Sequence, residues 1–371
     1  MSFDIFLVCA PSHEPLVLAE ALEAGFASAR IVDGGVEFTG DWPDVWRANL
    51  MLRGVTRVLA RIGSFRAMHL AQLDKRARKI DWASILRPDT PVRVEATCRK
   101  SKIYHAGAAQ QRIETAIRDT IGAPITKDAD IVIKTRIFDD LVSVSIDTSG
   151  ESLHKRGHKE AVNKAPMRET LAAVFLRQMG YDGTQPVYDP MCGSGTFVIE
   201  AAEWARGLAP GRSRSFGFEK LASFDAAAWD AMKSAQQPRD VTARFYGSDR
   251  DQGAIAMSQA NAKRAGVDDI CTFHRAAISD ATAPESVSSI GENGIIILNP
   301  PYGGRIGDRK MLFSLYGAMG QTLTQNFRGW RVGIITNDAG LAKATGLTFK
   351  PMAPPISHGG IKVCLYQTGP L

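Results

Sequence analysis

The stretch PVYDPMCGSGTFVIEAA, residues 186–202, decides how the second half of the chain folds. A short apolar run ends at Asp189-Pro190, glycines follow at 193 and 195, and an apolar-rich helical segment starts at Thr196. Strand, glycine turn and helix in that order open a parallel α/β unit, and the glycines let the backbone pass close to a ligand. The loop lacks the G-K-[ST] of a phosphate-binding P-loop. Val198 also stands where a dinucleotide fingerprint needs its third glycine, so a pyrophosphate ligand does not fit.

The same alternation runs outward on both sides. Helix RETLAAVFLRQMG precedes the stretch; strand ARFYGSD, helix DQGAIAMSQANAKRAG, strands ICTFHRA and GIIILNP, helix MLFSLYGAMGQTLTQNF and strand RVGIIT follow it. Such an order implies a parallel sheet covered by helices on both faces. Residues 209–225 read as an insertion after the first helix. The first 150 residues have a different, mixed α+β texture. FDIFLVCAP reads as a strand, EPLVLAEALEAGF as a helix, and ARIVDGGVEFTG as a hairpin turning at Gly34-Gly35. DVWRANLMLRGVTRVLARIG reads as a second helix. Residues 90–122 give a strand, a basic loop and a helix, and IVIKTRIFDDLVSVSIDTSG gives a second hairpin. The polar, basic LHKRGHKEAVNKAP, interrupted by Pro166, reads as the hinge between the halves.

At 371 residues, 44% hydrophobic and 23% charged, the composition is that of an ordinary globular protein of two or three domains. No apolar run reaches the length of a membrane span, and the N-terminus lacks a basic segment followed by an apolar one. Five scattered cysteines without C-x-x-C spacing fit a reducing cytoplasm, and no metal site is expected. Residues 1–50 carry a net charge of −6, whereas residues 51–120 carry fifteen Lys and Arg against six Asp and Glu. A swing of that size between neighbouring segments suggests a surface facing a polyanion such as nucleic acid.

Ligands of open α/β sheets bind beyond the carboxyl ends of the strands, and three strands here end in notable residues: VYDP, FYGSD and IILNPPY. Asp249 closes the second and is placed to take both hydroxyls of a ribose, although it also suits the N-cap of the helix that follows. Ribose without pyrophosphate points to S-adenosylmethionine. The third ending, Asn299-Pro300-Pro301-Tyr302, offers a rigid loop. The exocyclic amine of a base is a poor nucleophile because its lone pair is delocalised into the ring. The amide oxygen of Asn299 and the carbonyl of Pro300 can accept both of its protons as charge develops on nitrogen. Tyr302 supplies a flat face for a flipped base. Asn-Pro also marks ordinary turns; it is the three endings in this order that favour methyl transfer.

DPMCGSGTFVIEAA…APG…FGFE…FYGSDRD…NPPYGGRIG resembles the THUMP-domain class of 23S rRNA guanine-N2 methyltransferases, the RlmL/YpsC type, over essentially the whole chain. LHKRGHK followed by APMRETLAA is similar to that family's junction, and residues 34–63 to its entry into the THUMP domain. The resemblance implies a ferredoxin-like segment over 1–43, an RNA-gripping THUMP domain over 44–155, and one Rossmann-like class I methyltransferase domain over 156–371. It implies S-adenosyl-L-methionine held by Asp189, Pro190, Cys192, Gly193, Gly195, Thr196, Asp249 and Asn299. Asn299, Pro300, Pro301 and Tyr302 would then receive the target guanine. Lys100, Lys102 and Arg112 are the expected RNA contacts, on 23S rRNA or a large-subunit precursor; no protein partner or membrane is implied. Two departures stand out. Ala276 and Ala277 replace an acidic residue expected near the adenine, for which Asp280 is the nearest substitute, and Gly304 stands where the family usually has Glu. Rival readings are guanine-N2 methylation of tRNA, adenine-N6 methylation of DNA, and a non-catalytic ribosome-assembly factor.

Overall fold

A computed structural model of the chain describes residues 2–160, 166–285, 293–303 and 309–371. Two compact units share the chain discontinuously. The first comprises Met1–Cys9, Val17–Leu153 and Arg214–Ala235; the second comprises Ala10–Leu16, His154–Ser213 and Gln236–Leu371.

The first unit is built on seven strands: β1 Phe3–Val8, β2 Arg30–Val32, β3 Gly35–Gly40, β4 Arg57–Arg66, β5 Val92–Arg99, β6 Ile131–Phe138 and β7 Leu141–Asp147. Their order is β2-β3-β1-β4-β7-β6-β5, antiparallel throughout except for β5 beside β6. Helices α1 Glu14–Glu23, α2 Trp42–Met51, α3 Leu70–Ala77 and α4 Ala106–Ile121 connect them. The helix expected over DVWRANLMLRGVTRVLARIG is only half right. Asp41 and Asp44 form a capping box that starts α2, but the chain turns extended at Leu52 and re-enters the sheet as β4. Val58 and Ala60 are fully buried between partly exposed Arg57, Leu59 and Arg61, an alternation that β1 and β7 lock from both sides. The boundary drawn at 43/44 falls in the first turn of α2, and the sheet continues across it.

One cation of the second segment is paired with acids of the first inside this sheet. Arg61 of β4 pairs with Asp4 of β1 and Glu37 of β3, Arg30 pairs with Glu37, and the Glu20 carboxylate accepts the backbone N–H groups of Arg53 and Gly54. The insertion also finds its place here. Residues 214–235 contribute a 3-10 turn, Gly217–Lys220, and helix α7, Ala226–Ser234. Phe218 is fully buried, stacked on Phe216 and set edge-on to Trp229, with Trp46 of α2 at 6.1 Å.

The second unit carries β8 Val187–Asp189, β9 Phe245–Asp249, β10 Cys271–Arg275, β11 Ile295–Leu298, β12 Arg331–Thr336, β13 Ile356–His358 and β14 Ile361–Pro370. Helices α5 Glu169–Gln178, α6 Thr196–Ala205, α8 Gln252–Ala265, α9 Arg309–Asn326 and α10 Ala339–Ala344 accompany them. The order is β10-β9-β8-β11-β12-β14-β13, with the first five strands parallel and β14 antiparallel to β12. All four residues of β11 are solvent-free: Ile295 and Ile297 join one hydrophobic cluster, Ile296 and Leu298 the other. The chain starts mid-sheet at β8, runs outward to β10, and returns to β11 on the opposite flank. That reversal opens a crevice between the carboxyl ends of β8 and β11.

Residues 154–160 of the stretch expected to be a hinge are instead packed into this unit, and 161–165 lie outside the described residues. Arg156 and Glu200 of α6 form an ion pair at 3.1 Å with both side chains 2% exposed. His158 lies 3.3 Å from buried Glu203, and Lys159 pairs with Glu169 of α5 at 2.9 Å. Its charges, which made it look like a linker, are the means of its attachment. Among the described residues no helix is long and apolar enough to cross a membrane.

Candidate active site

Asp189 ends β8 and is 2% exposed. Its Oδ1 accepts the N–H of Met191 at 3.0 Å. Burial, reinforced by the nearby Asp249 carboxylate, pushes its pKa up to about 8. Asp249 ends the neighbouring β9 and is fixed by two backbone donors: Gly193 N–H on Oδ2 at 3.1 Å and Asp251 N–H on Oδ1 at 3.0 Å. The capping role it might have been given belongs to Asp251, whose carboxylate accepts Gly253 N–H at 2.8 Å. Asp249 is thus bound to the glycine loop rather than spent on a helix end.

The loop itself is held from below. Cys192 N–H bonds the carbonyl of Ser248 at 3.0 Å, and Gly195 N–H bonds the carbonyl of Cys192 at 2.8 Å. From α8, the Ser258 hydroxyl donates to Gly193 O at 2.9 Å and the Asn261 amide donates to Ser194 O at 3.0 Å. Gly193 and Gly195 both have positive φ, +54° and +82°. A Cβ on Gly195 would lie 3.1 Å from Ile199 and Ser258, whereas one on Gly193 would project into open space, the cradle a ligand needs. Pro190 is buried behind the loop. Burial and the Asp189 charge drive the Cys192 thiol far above its usual range, so it packs as a neutral group near Ser258. Thr196 opens α6, its hydroxyl accepting from Lys159 Nζ at 2.8 Å.

Across the switch point, Ile296 of β11 stands opposite Tyr188 of β8. Continuing that register puts Asn299 about two residues beyond Asp189 at the carboxyl edge. Its Oδ1 is buried and has no hydrogen-bond partner among the described residues. Pro300 is buried, and the carbonyl of Pro301 accepts the hydroxyl of Tyr316 on α9 at 3.3 Å. Tyr302 is partly buried and packs against both hydrophobic clusters of the unit. A buried acceptor left unpaired costs about 1–3 kcal/mol, a cost that persists where a ligand supplies the donor. An anchored carboxylate for a ribose, an open glycine cradle and a second buried carboxylate for a cationic ligand fit S-adenosylmethionine.

Asp280 is exposed on the 3-10 turn Ile278–Asp280 and accepts the Ser279 hydroxyl; no contact among the described residues joins it to the glycine loop. Ala276 keeps only its backbone at the site, donating its N–H to Asp249 O at 3.1 Å. Lys100 and Lys102 sit on the β5–α4 loop of the first unit, and Arg112 is exposed on α4. Gly304 lies outside the described residues. His154 and His158, four residues apart, join no cluster, and no group of three or more side chains among the described residues is arranged to hold a metal. Ser248, Ser258, Asn261 and Tyr316 were not foreseen. The signal for two of them was available: Ser258 and Asn261 are polar residues on the apolar face of α8.

Comparison with known proteins bears on the family and the cofactor. The profile described as "RMKL-like, methyltransferase domain" matches residues 156–354, "RlmL ferredoxin-like domain" matches 4–59, and "THUMP domain" matches 67–147. The chain is 30% identical to the Synechocystis protein "Putative RNA methyltransferase slr0064", covering 98% of this chain and 95% of that one. It is 32% identical to the "Ribosomal RNA large subunit methyltransferase K/L" of Psychromonas ingrahamii, over 92% of this chain but 47% of that protein. Among solved structures, "SMU.472, a putative methyltransferase complexed with SAH" superposes with a TM-score of 0.87 at 28% identity, covering all of this chain and 98% of that one.

Proposed function

This chain belongs to the RlmKL-type family of S-adenosylmethionine-dependent RNA methyltransferases, and on that premise we propose that it methylates the exocyclic N2 amine of a guanine in 23S rRNA. The cofactor supplies an electrophilic methyl group on a sulfonium. In this reading Asp249 takes the ribose hydroxyls, and Asp189, Gly193 and Gly195 line the methionine and ribose side. Asn299 Oδ1 and the Pro300 carbonyl accept the two amine protons, which aims the nitrogen lone pair and stabilises the positive charge that grows on it in the transition state. Tyr302 stacks on the base. No side chain with a shifted pKa is needed to take the proton first, because the amine becomes acidic only as the bond to carbon forms.

The orphaned Oδ1 of Asn299, across the switch point from the glycine loop, carries this reading. The large-subunit RNA named for the Psychromonas relative supports the choice of 23S rRNA. The first unit, with its ferredoxin-like and THUMP matches, then grips the RNA in the cytoplasm. Labelled S-adenosylmethionine, offered with protein-free 23S rRNA, large subunits, total tRNA or genomic DNA, tests it by mass spectrometry of the modified nucleoside. N2-methylguanosine in naked 23S rRNA, lost in Asn299→Ala, is the expected result. Label confined to tRNA would move the substrate, and N6-methyladenine in DNA would overturn it.

A further inference from the structure

At one end of the first unit's sheet, cations that remain after internal pairing collect, and an exposed aromatic residue follows them in the chain. β4 ends in Arg66 and continues to Met68; β5 ends in Arg99 and continues through Lys100, Ser101 and Lys102 to Tyr104. The β6–β7 turn, Asp139-Asp140, ties these ends together: Ala67 N–H bonds Asp140 O at 2.9 Å, and Asp140 Oδ1 accepts Lys102 N–H at 2.8 Å. Arg66 donates to Asp139 O, and Lys102 Nζ lies 3.7 Å from Met68 Sδ. None of Arg66, Arg99, Lys100 and Lys102 forms an ion pair among the described residues, in contrast to Arg57, Arg61, Arg78 and Arg93 of the same segment. Lys100 and Arg136 are both drawn over the ring of Phe138, at 5.6 and 4.7 Å. Tyr104 is 84% exposed, has no partner among the described residues, and exceeds every other large exposed hydrophobic side chain described.

We propose that this sheet end binds a single-stranded segment of the RNA, with one base stacked on Tyr104 and phosphates held by Arg66, Arg99, Lys100 and Lys102. The inference rests on the RNA reading above and deepens it. A ring left bare in water is not explained by folding, and unpaired cations just before it in the chain match a strand whose bases and phosphates alternate. Duplex RNA hides its bases in the stack and offers this ring nothing to lie against; an unpaired loop or end does. Phe138 serves differently, gathering cations over its face.

The test uses the full chain and fluorescence anisotropy with a labelled single strand of about 12 nucleotides, within the usual reach of such grooves, and a hairpin of equal length. Tyr104→Ala is expected to weaken single-strand binding by about 5- to 100-fold, while Tyr104→Phe stays within about twofold. Because the side chain is exposed, neither change threatens the fold. Lys100→Gln with Lys102→Gln should flatten the salt dependence of single-strand binding by about 1.4 in logarithmic slope, roughly 0.7 for each lost phosphate contact. Unchanged affinity in Tyr104→Ala, an equal loss in Tyr104→Phe, or a preference for the hairpin would each overturn the proposal. Methyl transfer measured on the same preparations separates the two readings. Transfer that persists alongside normal binding by Tyr104→Ala removes only the platform; a wild-type chain that binds neither RNA removes the RNA reading too.

Discussion

Asn299→Ala should move stability and activity in opposite directions, which no purely structural role for Asn299 would produce. The buried Oδ1 has no partner among the described residues, so the folded protein carries a desolvation cost of about 1–3 kcal/mol that removal of the amide relieves. Against that stands the packing lost with the side chain. Asn299 is only half-buried, so this loss is smaller than for a core residue, and the net change should be between zero and about 1 kcal/mol of stabilisation. Catalysis should fall by about 10²- to 10³-fold, the usual consequence of deleting one preorganised polar group at a site of developing charge. Urea unfolding reports the first quantity and single-turnover transfer from labelled cofactor the second; direct titration with S-adenosylhomocysteine should show affinity changed by less than the rate. Destabilisation greater than about 1 kcal/mol would make Asn299 a structural turn residue, the bland meaning of Asn-Pro. A rate within threefold of wild type would dismiss it from the chemistry.

Asp189 should reveal itself through protons. With its carboxyl held near 8 in the fold and near 4 when unfolded, the native state binds the extra proton between those values, so the stability Asp189 contributes is fully present below about pH 4 and is lost as pH rises through about 8. Asp189→Asn should flatten that decline in unfolding midpoints. If the residue faces a cationic part of the cofactor, calorimetry near pH 7 in buffers of different ionisation enthalpy should detect release of up to one proton on binding, absent in the variant. The two glycines should separate by cost: Gly195→Ala, strained at φ +82° and crowded by Ile199 and Ser258, should lose about 1–3 kcal/mol of stability. Gly193→Ala, with open space around it, should cost only the strain of its left-handed backbone, about 1–2 kcal/mol, yet weaken cofactor affinity tenfold or more by filling the cradle, as S-adenosylhomocysteine titration would show. Arg156→Ala should destabilise the second unit by about 3–5 kcal/mol in urea unfolding because it strands buried Glu200; a loss below 1 kcal/mol would return the 154–160 segment to the status of a linker.

The parallel sheet was legible because its signals are local. β8, β9 and β11 each combine an unbroken apolar run with a chemically marked last residue, and that conjunction survives without knowledge of the partners. The β4 error has the opposite origin. VTRVLARIG carries apolar residues compatible with either period, and only pairing with β1 and β7, strands distant in sequence, makes it extended. The hairpin of β13 and β14 went unread, although its Gly359-Gly360 turn, where both residues have positive φ, marks it. Residues 154–160 misled because charge was equated with exposure. Sequence shows that Arg156 and Glu200 are charged; it does not show that they meet and disappear from water together.

The site's architecture also accounts for what its residues have in common. Asp249 is immobilised by two backbone donors, Asp189 by a third, the glycine loop by Ser258 and Asn261, and the second proline by Tyr316. All these supports come from elements of the second unit, and all fix the orientation of acceptors. A reaction limited by a proton-transfer group would need a side chain tuned near neutrality and free to exchange with substrate. Burial shifts the Asp189 carboxyl toward neutrality, yet it ends β8 across the switch point from Asn299, which cannot titrate at all. Rigid, uncharged acceptors at the strand ends suit a transfer in which positive charge appears on nitrogen first and the proton follows, because preorganised dipoles stabilise that charge without reorganising. On the proposed reading the glycine cradle and the Asn-Pro-Pro-Tyr loop are two halves of one alignment device, and their shared dependence on the β8–β11 crevice would make the strand order itself a catalytic requirement.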